Sequence, residues 1–265
     1  MKSGKKRRTR ISDKWAKTNV LIRDKGLRGY VPLTKKLSKS AISSMLGKYG
    51  MVYVKPVHGS LGKGVMKTER EAGGKYAYQV GGKRRSFGSF NAFYGAIKRE
   101  AGGKRYLVQK GIHLLKYEGR AFDLRVVVQK SPRGGYEATG TVARVAYPGK
   151  IVTNGSQGGT ILQVDQVLQP HAHYDQRAAL ISHVERIGIQ TIKRLKRRYP
   201  SLVEIGLDVA IDGNLKPWIL EVNTTPDHCP FAILQDQTMI NRIIHYGKHY
   251  GVTYKLKCNK ARRVL

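Results

Sequence analysis

The residues best suited to chemistry lie in one stretch, EIGLDVAIDGNLKPWILEVN, residues 204–223. Gly213-Asn214 is a two-residue hairpin loop signal between two apolar runs. That loop sets Asp212 opposite Leu215 and Asp208 opposite Ile219. Side chains then sort by parity. Leu207, Val209, Ile211, Trp218, Leu220 and Val222 share one apolar face, and Asp208, Asp212, Glu221 and Asn223 share the other. Glu221 falls diagonal to Asp208, with ~7–8 Å between backbones, a gap that an ion bridges. Acidic residues number only 17 in 265, so two of them and an amide oxygen on one hairpin face are conspicuous. Such oxygen ligands suit Mg²⁺, which takes one or two protein carboxylates and fills its shell with water and phosphate. The same face also suits an ordinary solvated hairpin, and Asp212 reads as a turn residue.

A second set of candidates lies in YVKPVHGSLGKGV, residues 53–65. Lys55 ends an apolar strand, and Gly59, Gly62 and Gly64 follow around Ser60 and Lys63. Such glycines let backbone N–H groups approach phosphate oxygens closely. The spacing is neither that of a Walker loop nor that of the dinucleotide fingerprint. A strand lysine under a glycine flap would clamp a nucleotide, with Lys55 and Lys63 neutralising phosphate charge. A surface hairpin rich in glycine and lysine gives the same pattern.

The elements that must position these groups are legible from periodicity. A helix is expected over 34–47, capped by Thr34, with Leu37, Ala41, Ile42 and Met45 at helical spacing and Gly47 ending it. Another is expected at about 89–101, capped by Ser89. A long amphipathic helix is expected over about 175–198, and a helical end near 231–249. YAYQV at 76–80, YLVQK at 106–110, FDLRVVVQK at 122–130 and YEATGTVARVAY at 136–147 read as strands, as do 203–211 and 216–222. Residues 148–160 form a glycine-rich loop. Strands and helices intermix without strict alternation, so the expected class is α+β rather than a doubly wound sheet.

Together these segments resemble the ATP-grasp superfamily, and more closely its YheC/YheD group, which is associated with the endospore coat. The residues that carry this are YVPLTKKLS, YVKPVHGSLGKGV, YLVQKGI, FDLRVVVQK, ARV with TNGSQGG, and GLDVAID…PWILEVNTTPD, over roughly 15–250. The resemblance implies an ATP-grasp fold whose two α+β subdomains grip a nucleotide. It implies ATP and two Mg²⁺ ions held by Asp208, Glu221 and Asn223. Lys55 would contact the α/β-phosphates beneath the flap of Gly59, Ser60, Gly62, Lys63 and Gly64. The hinge strand Gln109, Lys110 to Ile112 would present backbone groups to adenine, with Val108 and Ile112 near the ring. This chain has Gln109 where superfamily members often have an acid. Arg125 and Arg144 would meet the γ-phosphate or an acyl phosphate, and Asn154, Gly158 and Gly159 would shape the acceptor site.

The implied organisation is a basic tail at 1–14, a helical and linker segment at 15–50, a small subdomain with the flap at 51–110, a large subdomain with the metal hairpin at 111–252, and a basic tail at 253–265. About 50 residues precede the flap, too few for a full N-terminal pre-grasp domain. Either the grasp subdomains build the acceptor site alone or a partner completes it. The implied activity is ATP-dependent ligation of a carboxylate to an amine through an acyl phosphate. Cys229 follows His228 directly, but neighbours on an extended strand point apart, so the pair is not a nucleophile and its base.

Composition bounds the partners. Lys and Arg number 50 and the formal net charge is +33. Charge of that sign steers acidic peptide-like substrates or an anionic polymer towards the surface. It also leaves open a non-catalytic anion-binding scaffold, in a spore coat or on nucleic acid, and a grasp-type kinase. The two cysteines form no disulfide or metal framework, and no run reaches the ~18 apolar residues of a membrane span. The expected location is the cytoplasm, with spore association implied by the resemblance.

Overall fold

The computed structural model describes residues 9–153, 158–254, 256 and 262–263. Two sheets of mostly antiparallel strands lie on either side of a deep cleft. The chain opens with α1 (Lys14–Ile22), whose start Asp13 caps by accepting from Ala16 N. The first sheet holds β1 (Thr34–Lys36), β2 (Met51–Pro56), β3 (Met66–Arg70), β4 (Tyr76–Val80), β5 (Lys83–Phe87) and β6 (Tyr106–Lys110), in the order β1-β6-β2-β3-β4-β5. Helices α2 (Lys39–Tyr49) and α3 (Phe90–Ala101) cover it. Val52, Val54 and Val108 face Ile42, Met45, Phe93 and Ile97 in one core. Each large side chain fully withdrawn there contributes about 1.5–3 kcal/mol.

The helix expected from residue 34 begins later. Thr34–Lys36 is an edge strand paired antiparallel to β6, so Thr34 lies opposite Gln109. Ser38 is the cap instead, accepting from Ala41 N at 3.1 Å, and the helix runs past Gly47 to Gly50. Three residues make too short a strand for periodicity to register, whereas Thr34 and Ser38 are both good cap residues.

The second sheet has β7 (Lys116–Tyr117), β8 (Arg120–Lys130), β9 (Tyr136–Val145), β10 (Thr160–Leu162), β11 (Glu204–Ile211), β12 (Pro217–Asn223) and β13 (Arg262–Arg263), in the order β12-β11-β8-β9-β10-β13 with β7 on β8. Four helices belong to it: α4 (Val164–Leu168), α5 (Tyr174–Arg198), α6 (Cys229–Ala232) and α7 (Thr238–His249). One face carries Leu124, Val126, Leu207 and Val209 against Val184, Ile192 and Leu195 of α5. The opposite face is divided. Val127, Val142 and Ile161 pack on Phe231 and Ile243 from α6 and α7. The remaining positions of that face are polar, and they form the cleft wall. The alternation of β8 brings this about, because Asp123, Arg125 and Val127 share a side while Leu124 and Val126 face α5.

Cys229 begins α6 and is buried, rather than lying on a strand. Its neighbour His228 turns its Nε2 to Glu204 at 3.3 Å. No helix among the described residues is long and apolar enough to cross a membrane.

Candidate active site

The β11–β12 hairpin differs from the simple register in two ways that together build the site. Its loop is longer by a residue. Leu215 N donates to Asp212 O at 2.9 Å and Asp212 N to Lys216 O at 3.1 Å, with Leu215 at φ +59°. This is a turn closed by a left-handed residue, the usual form of a three-residue hairpin loop. Asp212 is the turn residue expected, accepting from Asn214 N, Lys216 N and Trp218 Nε1. Further along, Val209 pairs with Ile219 but Asp208 pairs with Glu221, so Leu220 is a bulge residue. The bulge resets parity. Ile219 and Val222 both enter the core, while Leu220 and Glu221 both face the cleft. Trp218 and Leu220 therefore do not lie on the core face that simple alternation gives them. Asp208 and Glu221 become direct cross-strand neighbours rather than diagonal ones.

The cleft holds a cavity of about 360 Å³, within the range of small-ligand sites. The first sheet contributes Lys55, Lys67, Gln109 and Lys110, with Gly59, Ser60, Gly62 and Lys63 of the flap. The second contributes Asp123, Arg144, Asp208, Leu220 and Glu221, with the segment 149–153. Ile112 and Leu114 close it at the hinge, and Lys14 enters from α1. Seven basic side chains and three carboxylates line it, so the cavity favours an anionic ligand. The walls are also tied directly, by Gln79 Nε2 donating to Gly149 O at 2.9 Å.

Lys55 points into the cavity, and its Nζ donates to Gln109 Oε1 at 2.6 Å. Gln109 Nε2 in turn donates to Thr34 Oγ1 at 3.1 Å. Burial holds the Lys55 ammonium down at about 8, against the pull of Glu221 in the other direction. Gly64 does not line the cavity, but it fixes the flap's shape. It sits at φ +71°, and a Cβ there would lie 2.9 Å from the Tyr106 hydroxyl.

The arginines are arranged differently from the expectation. Arg144 grips Asp123 with two bonds, Nε to Oδ1 at 2.8 Å and a terminal nitrogen to Oδ2 at 2.5 Å, and reaches Asp208 Oδ2 at 3.1 Å. Arg125 Nε donates to Asp208 Oδ1 at 2.5 Å and is not part of the cavity wall. All four groups are 5% exposed or less. Two positive and two negative charges thus cancel in a buried quartet. Burial alone would raise the Asp208 carboxyl, but Arg125 and Arg144 outweigh it and hold it below the usual carboxylate range. Arg144 is correspondingly held protonated by Asp123 and Asp208 despite its burial. Arg144 thus lines the cavity from within the quartet, while Arg125 lies off the wall and touches Asp208.

At the hinge, Lys110 N donates to Leu33 O at 2.8 Å and Gly111 N to Met51 O at 3.0 Å, so these two amides are committed within the sheet, while Ile112 lines the cavity. Val108 is wholly buried in the core of the first sheet rather than beside the cavity. The Lys110 ammonium lies 5.2 Å from both the Tyr49 and the Trp218 ring centres.

Of the hairpin residues, Asp208 and Glu221 line the cavity, while Asn223 does not and donates Nδ2 to Asp208 Oδ2 at 3.5 Å. Asn154 lies outside the described residues. Gly158, at φ +87°, packs against the Tyr147 ring, and Thr153 rather than Gly158 or Gly159 reaches the cavity.

Two side chains escaped the sequence reading. Asp123 is the buried partner of Arg144. Lys14 sends its Nζ to Gly59 O at 2.7 Å and to Glu221 Oε1 at 3.1 Å. Lys17, one turn on, donates to Ile11 O at 2.8 Å, and burial lowers it to about 8. The available signal was Asp13 as a cap, followed by Lys14, Lys17 and Leu21 at i, i+3 and i+7 on one helix face.

Several solved structures share this arrangement of two sheets around a cleft. D-cycloserine synthetase superimposes over 88% of this chain and 69% of its own, with a TM-score of 0.52 at 14% identity. Biotin carboxylase from Campylobacter jejuni matches over 95% and 49%, with the same score and identity. N5-carboxyaminoimidazole synthetase from Staphylococcus aureus matches over 92% and 53%, scoring 0.51 at 12% identity. At such identities the likeness is one of fold, and the fold is ATP-grasp, α+β. A family model described as YheC/D like ATP-grasp matches residues 7–252, and the chain belongs to that family. Two curated relatives, the endospore coat-associated proteins YheD and YheC of Bacillus subtilis (strain 168), are each 26% identical. They match 83% and 82% of this chain, which spans only 49% and 60% of their own lengths.

Proposed function

We propose that this protein is an ATP-dependent carboxylate–amine ligase acting on an acidic or peptide-like substrate. The observation that carries it is the cavity itself. A lysine strand and glycine flap form one wall, and a cross-strand pair of carboxylates with an arginine-held quartet forms the other. Its excess of cations suits a triphosphate. Among the solved structures of the same fold, the Staphylococcus aureus synthetase is complexed with ADP and the Campylobacter jejuni biotin carboxylase is a β,γ-ATP complex, in keeping with nucleotide occupancy.

Asp208 and Glu221 offer the hard oxygen donors that Mg²⁺ takes, directly opposite one another on the cavity wall, and Asn223 adjoins Asp208. These residues would hold the metal, which neutralises charge on the transferring phosphoryl group when bound. Lys55, fixed by Gln109, binds the phosphates, and the flap amides of 59–64 close over them. Arg125 and Arg144 hold Asp208 ionised and in place, which is pre-organisation, and Arg144 also faces the cavity. In the reaction a substrate carboxylate oxygen attacks the γ-phosphorus and the bond to ADP breaks. The amine then attacks the acyl carbon, phosphate leaves with its oxygen, and the amine proton passes to solvent.

The test is Mg²⁺-dependent ADP release from ATP, with pools of amino acids and acidic peptides as acceptors. Release should require an added carboxylate and amine. Glu221→Gln should lower it roughly a hundred- to a thousandfold with the unfolding midpoint unmoved, and undiminished turnover in that variant would refute the proposal. A stable phosphorylated product in place of an amide would make the protein a kinase. A second reading, a coat scaffold that binds anions without cleaving ATP, rests on the net charge of +33 and the coat association of YheC and YheD. It predicts nucleotide binding with no release under any pool.

A further inference from the structure

The two carboxylates of the hairpin are neutralised in different ways. Asp208 is held by two arginines inside the quartet. Glu221, with 27% of its side chain exposed, is paired only with Lys14 among the described residues. Lys14 belongs to neither wall of the cleft. Its backbone N donates to Val57 O at 2.9 Å, which pins the start of α1 to the root of the flap. Its side chain then reaches Gly59 O at 2.7 Å on one wall and Glu221 Oε1 at 3.1 Å on the other. A single ammonium, 10% exposed, therefore bridges the flap and the hairpin carboxylate.

We propose that Lys14 is a resident counter-ion for Glu221 that the metal must displace, so that metal loading and the parting of the flap root from the hairpin carboxylate are one event. The proposal rests on the nucleotide and metal reading of this site. The physical reason is competition for one carboxylate. Glu221 can neutralise either an ammonium or a divalent cation at short range, and two cations at the same oxygens repel. With Glu221 taken by the metal, the Lys14 ammonium keeps only the Gly59 carbonyl and faces the phosphates across the cavity. Without the metal, Lys14 spares Glu221 from standing as an unpaired carboxylate and holds the flap root against α1. Lys14 is thus a positioning residue acting through Glu221 and Gly59. Lys17 feels Glu221 from nearby but makes no ion pair with it, its ammonium being bonded to Ile11 O at 2.8 Å.

The experiment uses the full chain, ADP and Mg²⁺, and follows binding rather than turnover. ADP binding is titrated against Mg²⁺ in wild type, Lys14→Met and Lys14→Arg, with Lys14→Gln as a second neutral variant should the methionine fail to fold. The half-saturating Mg²⁺ should fall about fivefold in the neutral variants, the scale of one partly exposed ion pair, and return in Lys14→Arg. Amide exchange over residues 58–65, measured without metal or nucleotide, should quicken in the neutral variants and return in Lys14→Arg. A lysine with a purely structural role would weaken the site, so half-saturating Mg²⁺ would rise or stay level. That result, with ADP still bound, would overturn the proposal and leave the ligase reading standing. A wild-type protein that binds no ADP at any Mg²⁺ concentration would instead overturn the functional reading beneath it.

Discussion

One face of the second sheet carries two buried polar groupings that look alike by composition and differ in what they can do. At the cleft end, Asp123, Arg144, Asp208 and Arg125 form the quartet. Along the same strands, Glu204 of β11 lies opposite Gln129 of β8. There Glu204 Oε2 accepts from Tyr254 Oη at 2.7 Å and Tyr250 Oη at 3.0 Å, with His228 Nε2 at 3.3 Å. Gln129 Nε2 donates to Tyr254 Oη at 2.9 Å. Burial, reinforced by the Glu204 carboxylate, pushes both tyrosine hydroxyls far above their ordinary range. The second grouping fastens the segment after α7 to the sheet and does not line the cleft cavity. The first opens on Lys55, which is bonded to the neutral Gln109, and on the Lys14–Glu221 pair, which a ligand can exchange. Buried polar chemistry is thus no marker of a site by itself; an adjoining cavity with uncancelled charge is.

The largest expected effect tests how each grouping is balanced. Asp123→Leu removes the carboxylate that grips Arg144 with two bonds and leaves that arginine, 3% exposed, with Asp208 as its remaining ion-pair partner. Breaking a buried pair from one side costs about 3–5 kcal/mol. Urea unfolding should show a loss of that size. A loss under 1 kcal/mol would mean that solvent reaches Arg144 and that the quartet is not closed.

Glu204→Gln should cost less, about 1–3 kcal/mol, because the Tyr250 and Tyr254 hydroxyls can donate to an amide oxygen instead. Equal losses in the two variants would break the comparison, since both groupings would then depend on charge alike. Nucleotide binding separates them further. Asp123→Leu should weaken it through Arg144 and Asp208, whereas Glu204→Gln should leave it unchanged.

What was legible in the sequence divides along the same lines. Long elements with regular periodicity could be read: α5 spans Tyr174–Arg198, and β6 spans Tyr106–Lys110 as expected. Asp208 and Glu221 also share the cleft face as expected. Their pairing was not legible, because a bulge at Leu220 depends on how two strands meet rather than on either strand alone. Arg125 and Arg144 stood out as cations, but their charge state in the site depends on cross-strand neighbours, Asp208 and Asp123, that only the register reveals. Lys14 was hidden for a different reason. A lysine at a buried helix position looks like a solvated one until the wall it reaches is known.

Lys55 offers the sharpest contrast with Arg144 on the opposite wall, since that guanidinium stays charged at any accessible pH while burial holds this lysine at about 8. Phosphates bind the protonated ammonium, so the nucleotide raises its pKa. Affinity should therefore be level below about pH 8 and then weaken with rising pH, by up to about tenfold per unit. Calorimetric titration of ADP with Mg²⁺ between pH 7 and pH 9.5 reads this directly. Lys55→Arg should flatten the profile, because a guanidinium keeps its proton throughout. Lys17, which burial also holds at about 8, is turned to a backbone carbonyl, so Lys17→Met should keep the fall. A wild-type profile flat to pH 9.5 would show that the bound phosphates do not meet Lys55. A fall that persists in Lys55→Arg would place the titrating group elsewhere on the cavity wall.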